Sequence, residues 1–165
     1  MSSDNKNNNN SNINIWITAG DGDIDRVKEI LNTGISPDIQ DQNGYTPLAA
    51  AVSYNRIELV EFLLTCGANV NLCDNDGDSP LFLAETVEMV QKLLDNGADP
   101  YIANIEGKTP AQVIFEEGWL DVAEFLRSIT GESIPEIDND LNDSIFSVNL
   151  LNGRDLDDNI DRNGH

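Results

Sequence analysis

Apolar residues in this chain fall into short clusters with helical spacing, and the clusters come in pairs separated by polar turns. Ile57, Val60, Leu63 and Leu64 would line one face of a helix that stops at Gly67, a residue free to take the left-handed cap conformation. A shorter apolar run precedes it in "NGYTPLAAAV", residues 43–52, where Thr46 is placed to cap a helix and Pro47 to occupy its first turn. The same text returns as "DGDSPLFLAE" at 76–85 and "EGKTPAQVIF" at 106–115, with Gly44, Gly77 and Gly107 spaced 33 and 30 apart. Ser79 with Pro80, and Thr109 with Pro110, repeat the cap and the proline, and Gly34 and Gly97 repeat the stop. The pattern predicts helical hairpins over about 13–42, 43–75, 76–105 and 106–131. One such hairpin cannot bury its apolar face alone, so the units must stack around one continuous core.

Thr46-Pro47-Leu48 and its later copies, with Gly67-Ala68-Asn69-Val70-Asn71 and Gly97-Ala98-Asp99, resemble the ankyrin repeat, a unit of about 33 residues with the signature Thr-Pro-Leu-His followed by Ala. The resemblance covers residues 13–131 and implies an all-α solenoid of about four helix-turn-helix units with β-hairpin-like connections. The opening "NIWITAGDGDIDRV" followed by "GISPD" is also similar to short fungal ankyrin proteins without an assigned role. Three departures stand out. The signature His is replaced by Ala49, Phe82 and Gln112, and by Trp16 in the first unit, which removes the imidazole that ties neighbouring hairpins in the family. The step from Ala84 to Val87 is three residues where that from Ala51 to Ile57 is six, so the first helix of the third unit must be short. The first unit lacks Thr-Pro, and the last ends in "LRSITG" without the Gly-Ala stop, as terminal units facing water should.

Charge narrows the partner class. Acids outnumber bases by 30 to 9, a net charge of -21, and residues 13–131 alone carry 20 acids and 6 bases. A phosphate backbone would be repelled by such a field, so no nucleic acid is expected and a basic protein surface is. No apolar run approaches a membrane span, and the N-terminal "MSSDNKNNNNSN" has neither a basic nor an apolar segment of a secretion signal. A soluble protein of cytoplasm or nucleus is the expectation, with Cys66 and Cys73 as reduced thiols.

"DNDGDSPLFLAE" at 74–85 poses a chemical question, because acids at its first, third and fifth positions and Glu at its twelfth imitate a calcium loop. Ser79 stands at the sixth position, where the calcium turn needs glycine, and "GANVNLC" upstream reads as extended rather than helical. The acids therefore read as a turn, and no metal or cofactor is expected. The single histidine, His165, is the last residue, so no histidine-based catalytic or metal cluster can form within the repeats. The chain is expected not to be an enzyme.

Ankyrin proteins bind other proteins through hairpin tips and the exposed side of the first helices, and the resemblance carries that role onto particular positions here. They are Gln42, Asn43, Tyr45, Ser53 and Tyr54 in the second unit, Asn75, Asp76 and Asp78 in the third, and Ile105, Glu106, Lys108, Glu116 and Glu117 in the fourth. Tyr45 and Tyr54 are either anchors for a partner or covers for neighbouring helices. Trp119 is expected to staple the last hairpin. The Asn-rich residues 1–12 and the acidic residues 132–165 are expected to be disordered, with "LNDSIFSVNLLNG" a second candidate recognition segment. The whole reads as a monomeric protein-binding adaptor. Its alternative is a regulator that occludes an enzyme such as a protein kinase, suggested by a short helix like that of ankyrin kinase inhibitors, where it belongs to the second repeat.

Overall fold

A computed structural model describes residues 14–133; the Asn-rich segment and the acidic segment with its candidate recognition stretch lie outside the described residues. Four helical hairpins follow one another. The first pairs α1 (Ile15–Asp21) with α2 (Ile24–Asn32), and the second α3 (Pro47–Ser53) with α4 (Ile57–Thr65). The third pairs a four-residue 3-10 turn, Pro80–Leu83, with α5 (Val87–Asp95), and the fourth α6 (Pro110–Glu116) with α7 (Leu120–Thr130). The shortened first helix thus falls where the three-residue step demanded it. Ala84 turns extended at ψ 116°, and Thr86 then caps α5 by accepting from Met89 N at 3.2 Å.

The expected threonine and serine caps are realised unequally. Thr46 is buried and its hydroxyl accepts from Ala49 N at 3.0 Å. Ser79, fully buried, makes no such bond, because the tight 3-10 turn gives the equivalent N–H, that of Phe82, to the Ser79 carbonyl at 3.0 Å. Thr109 turns its hydroxyl to Glu132 Oε2 at 2.7 Å, while its own N–H is taken by Gln112 Oε1 at 3.2 Å. In the first unit Asn14 caps α1, accepting from Trp16 N and Ile17 N at 3.1 and 3.2 Å.

Two rows of helices form the stack. α1 packs on α3, α3 on the Pro80–Leu83 turn and that turn on α6; behind them α4 packs on α5 and α5 on α7. One apolar cluster runs through all four units, from Ala19 and Val27 through Leu48, Leu59, Leu63, Leu81, Met89 and Leu93 to Ile114 and Leu126. Each leucine so buried contributes about 1.5–3 kcal/mol relative to exposure. That is why four hairpins, none stable alone, hold as one body.

No strand occurs among the described residues, so the connections are hairpin-like rather than true ladders. Each tip is closed across its mouth by a backbone bond, Asp41 N to Tyr45 O at 3.1 Å, Asp74 N to Asp78 O at 3.0 Å and Asn104 N to Lys108 O at 2.9 Å. Inside, the glycine amide closes it again, Gly44 N to Asp41 O at 3.0 Å, Gly77 N to Asp74 O at 3.1 Å and Gly107 N to Asn104 O at 2.9 Å. Neighbouring tips are joined by one backbone bond each, Asn75 N to Asn43 O and Ile105 N to Asp76 O, both 2.9 Å. Gly44 and Gly77 sit under these joints with φ of 80° and 81°, and a Cβ at Gly44 would come within 2.9 Å of Asn75 N. Only glycine satisfies both the conformation and the approach.

The missing signature His does not leave the units untied. Trp16 Nε1 donates to Tyr45 O at 2.7 Å, bridging the first two units, and Gln40 Nε2 donates to Gly44 O at 2.7 Å and to Cys73 O at 3.0 Å, tying the segment before the second hairpin to the segment before the third. Further along, Asn71 Nδ2 donates to Gly97 O at 2.9 Å and Asp99 N to Asn71 Oδ1 at 2.8 Å.

Candidate functional site

The acids at the hairpin tips divide into those that build the turn and those that face outward. Asp74 Oδ1 accepts from Asp76 N at 2.9 Å and Asp78 N at 3.0 Å. Asp41 does the same for Asn43 N and Tyr45 N at 2.8 and 2.9 Å, and Asn104 for Glu106 N and Lys108 N at 3.1 Å each. An Asx side chain at the first tip position is therefore a staple for the two amides that follow. The calcium-like spacing arises from this repeated turn, and Asn104 fills the role without a charge.

Downstream of these staples, seven of the expected contact residues come together. Asp76, Asp78, Ile105, Glu106, Lys108, Glu116 and Glu117 line one groove of about 310 Å³ between the third and fourth units. Lys108 Nζ reaches Glu116 Oε2 at 2.7 Å and Glu106 Oε2 at 3.1 Å, which raises its pKa, and two carboxylates share its one charge. Burial raises the Asp78 pKa against the lowering bond from Asn104 Nδ2 at 2.9 Å, with Asp74, Asp76 and Glu106 adding repulsion. Burial likewise raises Glu117, helped by Glu85 and Asp78. A surface that holds its carboxylates against their own repulsion is relieved by a cation. Ile105, 72% exposed, supplies apolar area beside the acids.

A second groove, of about 610 Å³, lies between the first and second units and contains Gln42, Tyr45 and Tyr54 of the expected set. Tyr45 is half-buried, its hydroxyl 2.7 Å from Ser53 Oγ, and burial raises its pKa. Ser53 thus positions a ring. Tyr54 is 64% exposed and its ring lies against Gly20, so the two tyrosines divide the alternatives: Tyr45 covers the core and Tyr54 offers surface. Trp16, Ile17, Asp21, Asp41 and Arg56 also line this groove, and the sequence reading did not include them. The first helix corrects the expected register by one residue: Asn14 is its N-cap as Thr46 is that of α3, so Trp16 stands where Leu48 does and Ile17, not Trp16, holds the signature His position. Asp21 and Arg56 carry no pattern that would single them out.

Asn43 and Asn75 are exposed, but their backbones form the joint between tips, and Asn75 Nδ2 donates to Gln42 O at 3.0 Å. They belong to the scaffold as much as to the surface. Trp119, expected to staple the last hairpin, is instead 39% exposed beside Leu120 at 48%, because it serves as the N-cap residue of α7 through its backbone. Cys66 is exposed and Cys73 half-buried, both as free thiols, and burial with Asp74 and Asp78 nearby pushes the Cys73 thiol up. Among the described residues no group of three or more potential metal ligands converges, and no helix is long and apolar enough to cross a membrane.

The family described as ankyrin repeats (3 copies) matches this chain over residues 15–104. An ankyrin repeat-containing protein of Schizosaccharomyces pombe is 38% identical over 144 residues, which cover 86% of this chain and 70% of that protein. The chain is also similar to the ankyrin repeat, SAM and basic leucine zipper domain-containing protein 1 of Carollia perspicillata, at 37% identity over 105 residues, and of Notamacropus eugenii, at 35% over 109. The matched residues span only 22% and 23% of those two proteins.

Proposed function

This chain belongs to the ankyrin-repeat family, whose repeats are in general protein–protein interaction modules, and from that premise we propose that it is a non-catalytic, monomeric adaptor that binds a basic protein partner. The observation that carries the reading is the convergence of Asp76, Asp78, Glu106, Glu116 and Glu117 on one groove with a single lysine among them. Binding proceeds by rigid-surface recognition. Backbone bonds between tips fix the contact residues before the partner arrives, which lowers the ordering entropy of association, and the negative field raises the rate of encounter with a basic surface. That same field would repel a phosphate backbone, which favours a protein over a nucleic acid as the partner. Cytoplasm or nucleus is the proposed location, where free thiols such as Cys66 persist.

The enzyme-occluding alternative draws on the short Pro80–Leu83 turn alone, and that turn lies in the third unit. The test is affinity capture with crosslinking from the native cell, comparing the wild type with a variant carrying Asp76→Asn, Asp78→Asn, Glu116→Gln and Glu117→Gln. Capture of a basic protein that is lost in the variant, with an unchanged circular dichroism spectrum, is the expected result. Capture indifferent to the four changes would remove the proposed groove.

A further inference from the structure

The groove between the first two units has a composition that the acidic groove lacks. Three aromatic rings reach it from separate segments, and each is held by the protein itself. The Trp16 indole is fixed by its 2.7 Å bond to Tyr45 O, and the Tyr45 ring by its 2.7 Å contact with Ser53 Oγ. The Tyr54 ring lies over Gly20, where even a Cβ would approach Tyr54 Cδ2 to 3.0 Å. Gly20 is thus the space into which that ring settles.

Two carboxylates, Asp21 and Asp41, line the same groove, and neither takes part in any of the four ion pairs among the described residues. Arg56 is the cation on the wall, and it is tied down, its Nε donating to Gly20 O at 2.7 Å and its Cδ packed against Gly22. Two carboxylates to one tethered guanidinium leave the groove with an excess of negative charge. Asp41 Oδ1 is held by the Asn43 and Tyr45 amides, and an apolar anchor entering here would desolvate Asp21 and the second Asp41 oxygen without pairing them, which is unfavourable. A stacked base would bring its phosphate into the acidic field.

We propose that this groove is a receptor for an arginine side chain of the protein partner, the guanidinium stacking on the Trp16 and Tyr54 rings and its N–H groups donating to Asp21 and to Asp41 Oδ2, the oxygen not engaged by the tip amides. The proposal rests on the reading of the chain as a binder of basic protein and names which partner group enters where. Arginine fits better than lysine because its guanidinium is planar, stacks on aromatic faces, is weakly hydrated and presents a fork of donors to carboxylates. A volume of about 610 Å³ accommodates one such side chain with its adjoining backbone.

The test uses the full chain and three synthetic probes: an arginine–glycine repeat peptide, its lysine counterpart and its citrulline counterpart, which keeps the shape of arginine without the charge. The chain has two tryptophans, so Trp119→Phe leaves Trp16 as the reporter. The arginine peptide should change Trp16 emission and bind by calorimetry about tenfold or more tighter than the citrulline peptide, and more tightly than the lysine peptide. Asp21→Asn with Asp41→Asn should weaken it about tenfold, and Tyr54→Ala about three- to tenfold. Asp41→Asn keeps its fold because Asn104 performs the same staple in the fourth unit. An equal removal of charge from the other groove, Asp76→Asn with Glu116→Gln, should change this affinity by less than about threefold.

Arginine-peptide binding that responds equally to the two pairs, or that citrulline or lysine matches, would overturn the arginine receptor while leaving the acidic module intact. Absence of binding by either cationic peptide to the wild type would overturn the receptor together with the basic-partner reading.

Discussion

Asp74 shows how a side chain that imitates one chemistry can serve another. Its Oδ1 accepts two amide hydrogens at the tip of the third unit, a job that needs an oxygen and no charge, since Asn104 does it one unit later. Asp74→Asn should therefore leave the urea midpoint of unfolding nearly unchanged, while Asp74→Ala, which strands two amides, should lower stability by about 1–2 kcal/mol. Thr46 and Ser79 form a second contrasting pair. Thr46→Ala removes a working cap and should destabilise by about 1 kcal/mol. Ser79→Ala removes a buried hydroxyl that has no partner and should be neutral or stabilising by up to about 1 kcal/mol. The sequence makes both look like the same cap, because cap residue and proline stand in the same order. What separates them is the turn that follows, which becomes 3-10 only because three residues are missing before Val87.

At the scale of elements, hairpin order, glycine stops and the shortened first helix of the third unit were all legible, since each follows from the spacing of apolar residues, prolines and glycines. The bonds between units were not. Trp16 Nε1 to Tyr45 O and Gln40 Nε2 to Cys73 O join residues far apart in the chain, and no local period marks them. Trp119 was misjudged for a related reason: its place in the turn is plain from the sequence, but whether a neighbouring helix covers it depends on packing. Packing also sets the protonation of the groove between the third and fourth units. Asp78 and Glu117 have folded-state pKa values raised chiefly by burial, so their contribution is full below the unfolded values and is lost as pH rises through the folded ones. Stability should accordingly rise on acidification from neutrality into the upper carboxylate range, and a variant with Asp78→Asn and Glu117→Gln should show a smaller rise. Urea midpoints of both proteins at neutral and mildly acidic pH measure this.

For the whole molecule, the net charge of -21 and the stacked architecture work together. A repeat stack spreads its contacts over an extended surface, and acids along that surface give it a negative field, the feature on which the proposed basic partner rests. The expected contact positions on the third and fourth units, Asn75 excepted, are neighbours in one groove because equivalent positions of successive units lie side by side. Those on the second unit were only part of a groove whose other wall, Trp16 and Asp21, comes from the atypical first unit. Atypical terminal units are where a pattern drawn from the internal repeats carries least information.

The exposed acids of α2, α4, α5 and α7, including Glu29, Glu58, Glu88 and Glu124, lie on the other row of helices and serve as an internal control. Zero-length crosslinking of carboxylates to amines, applied to the complex with the captured partner and mapped by mass spectrometry, separates the two surfaces. Partner lysines should be found joined to Asp76, Asp78, Glu106, Glu116 and Glu117. Crosslinks concentrated instead on Glu29, Glu58, Glu88 and Glu124 would contradict it.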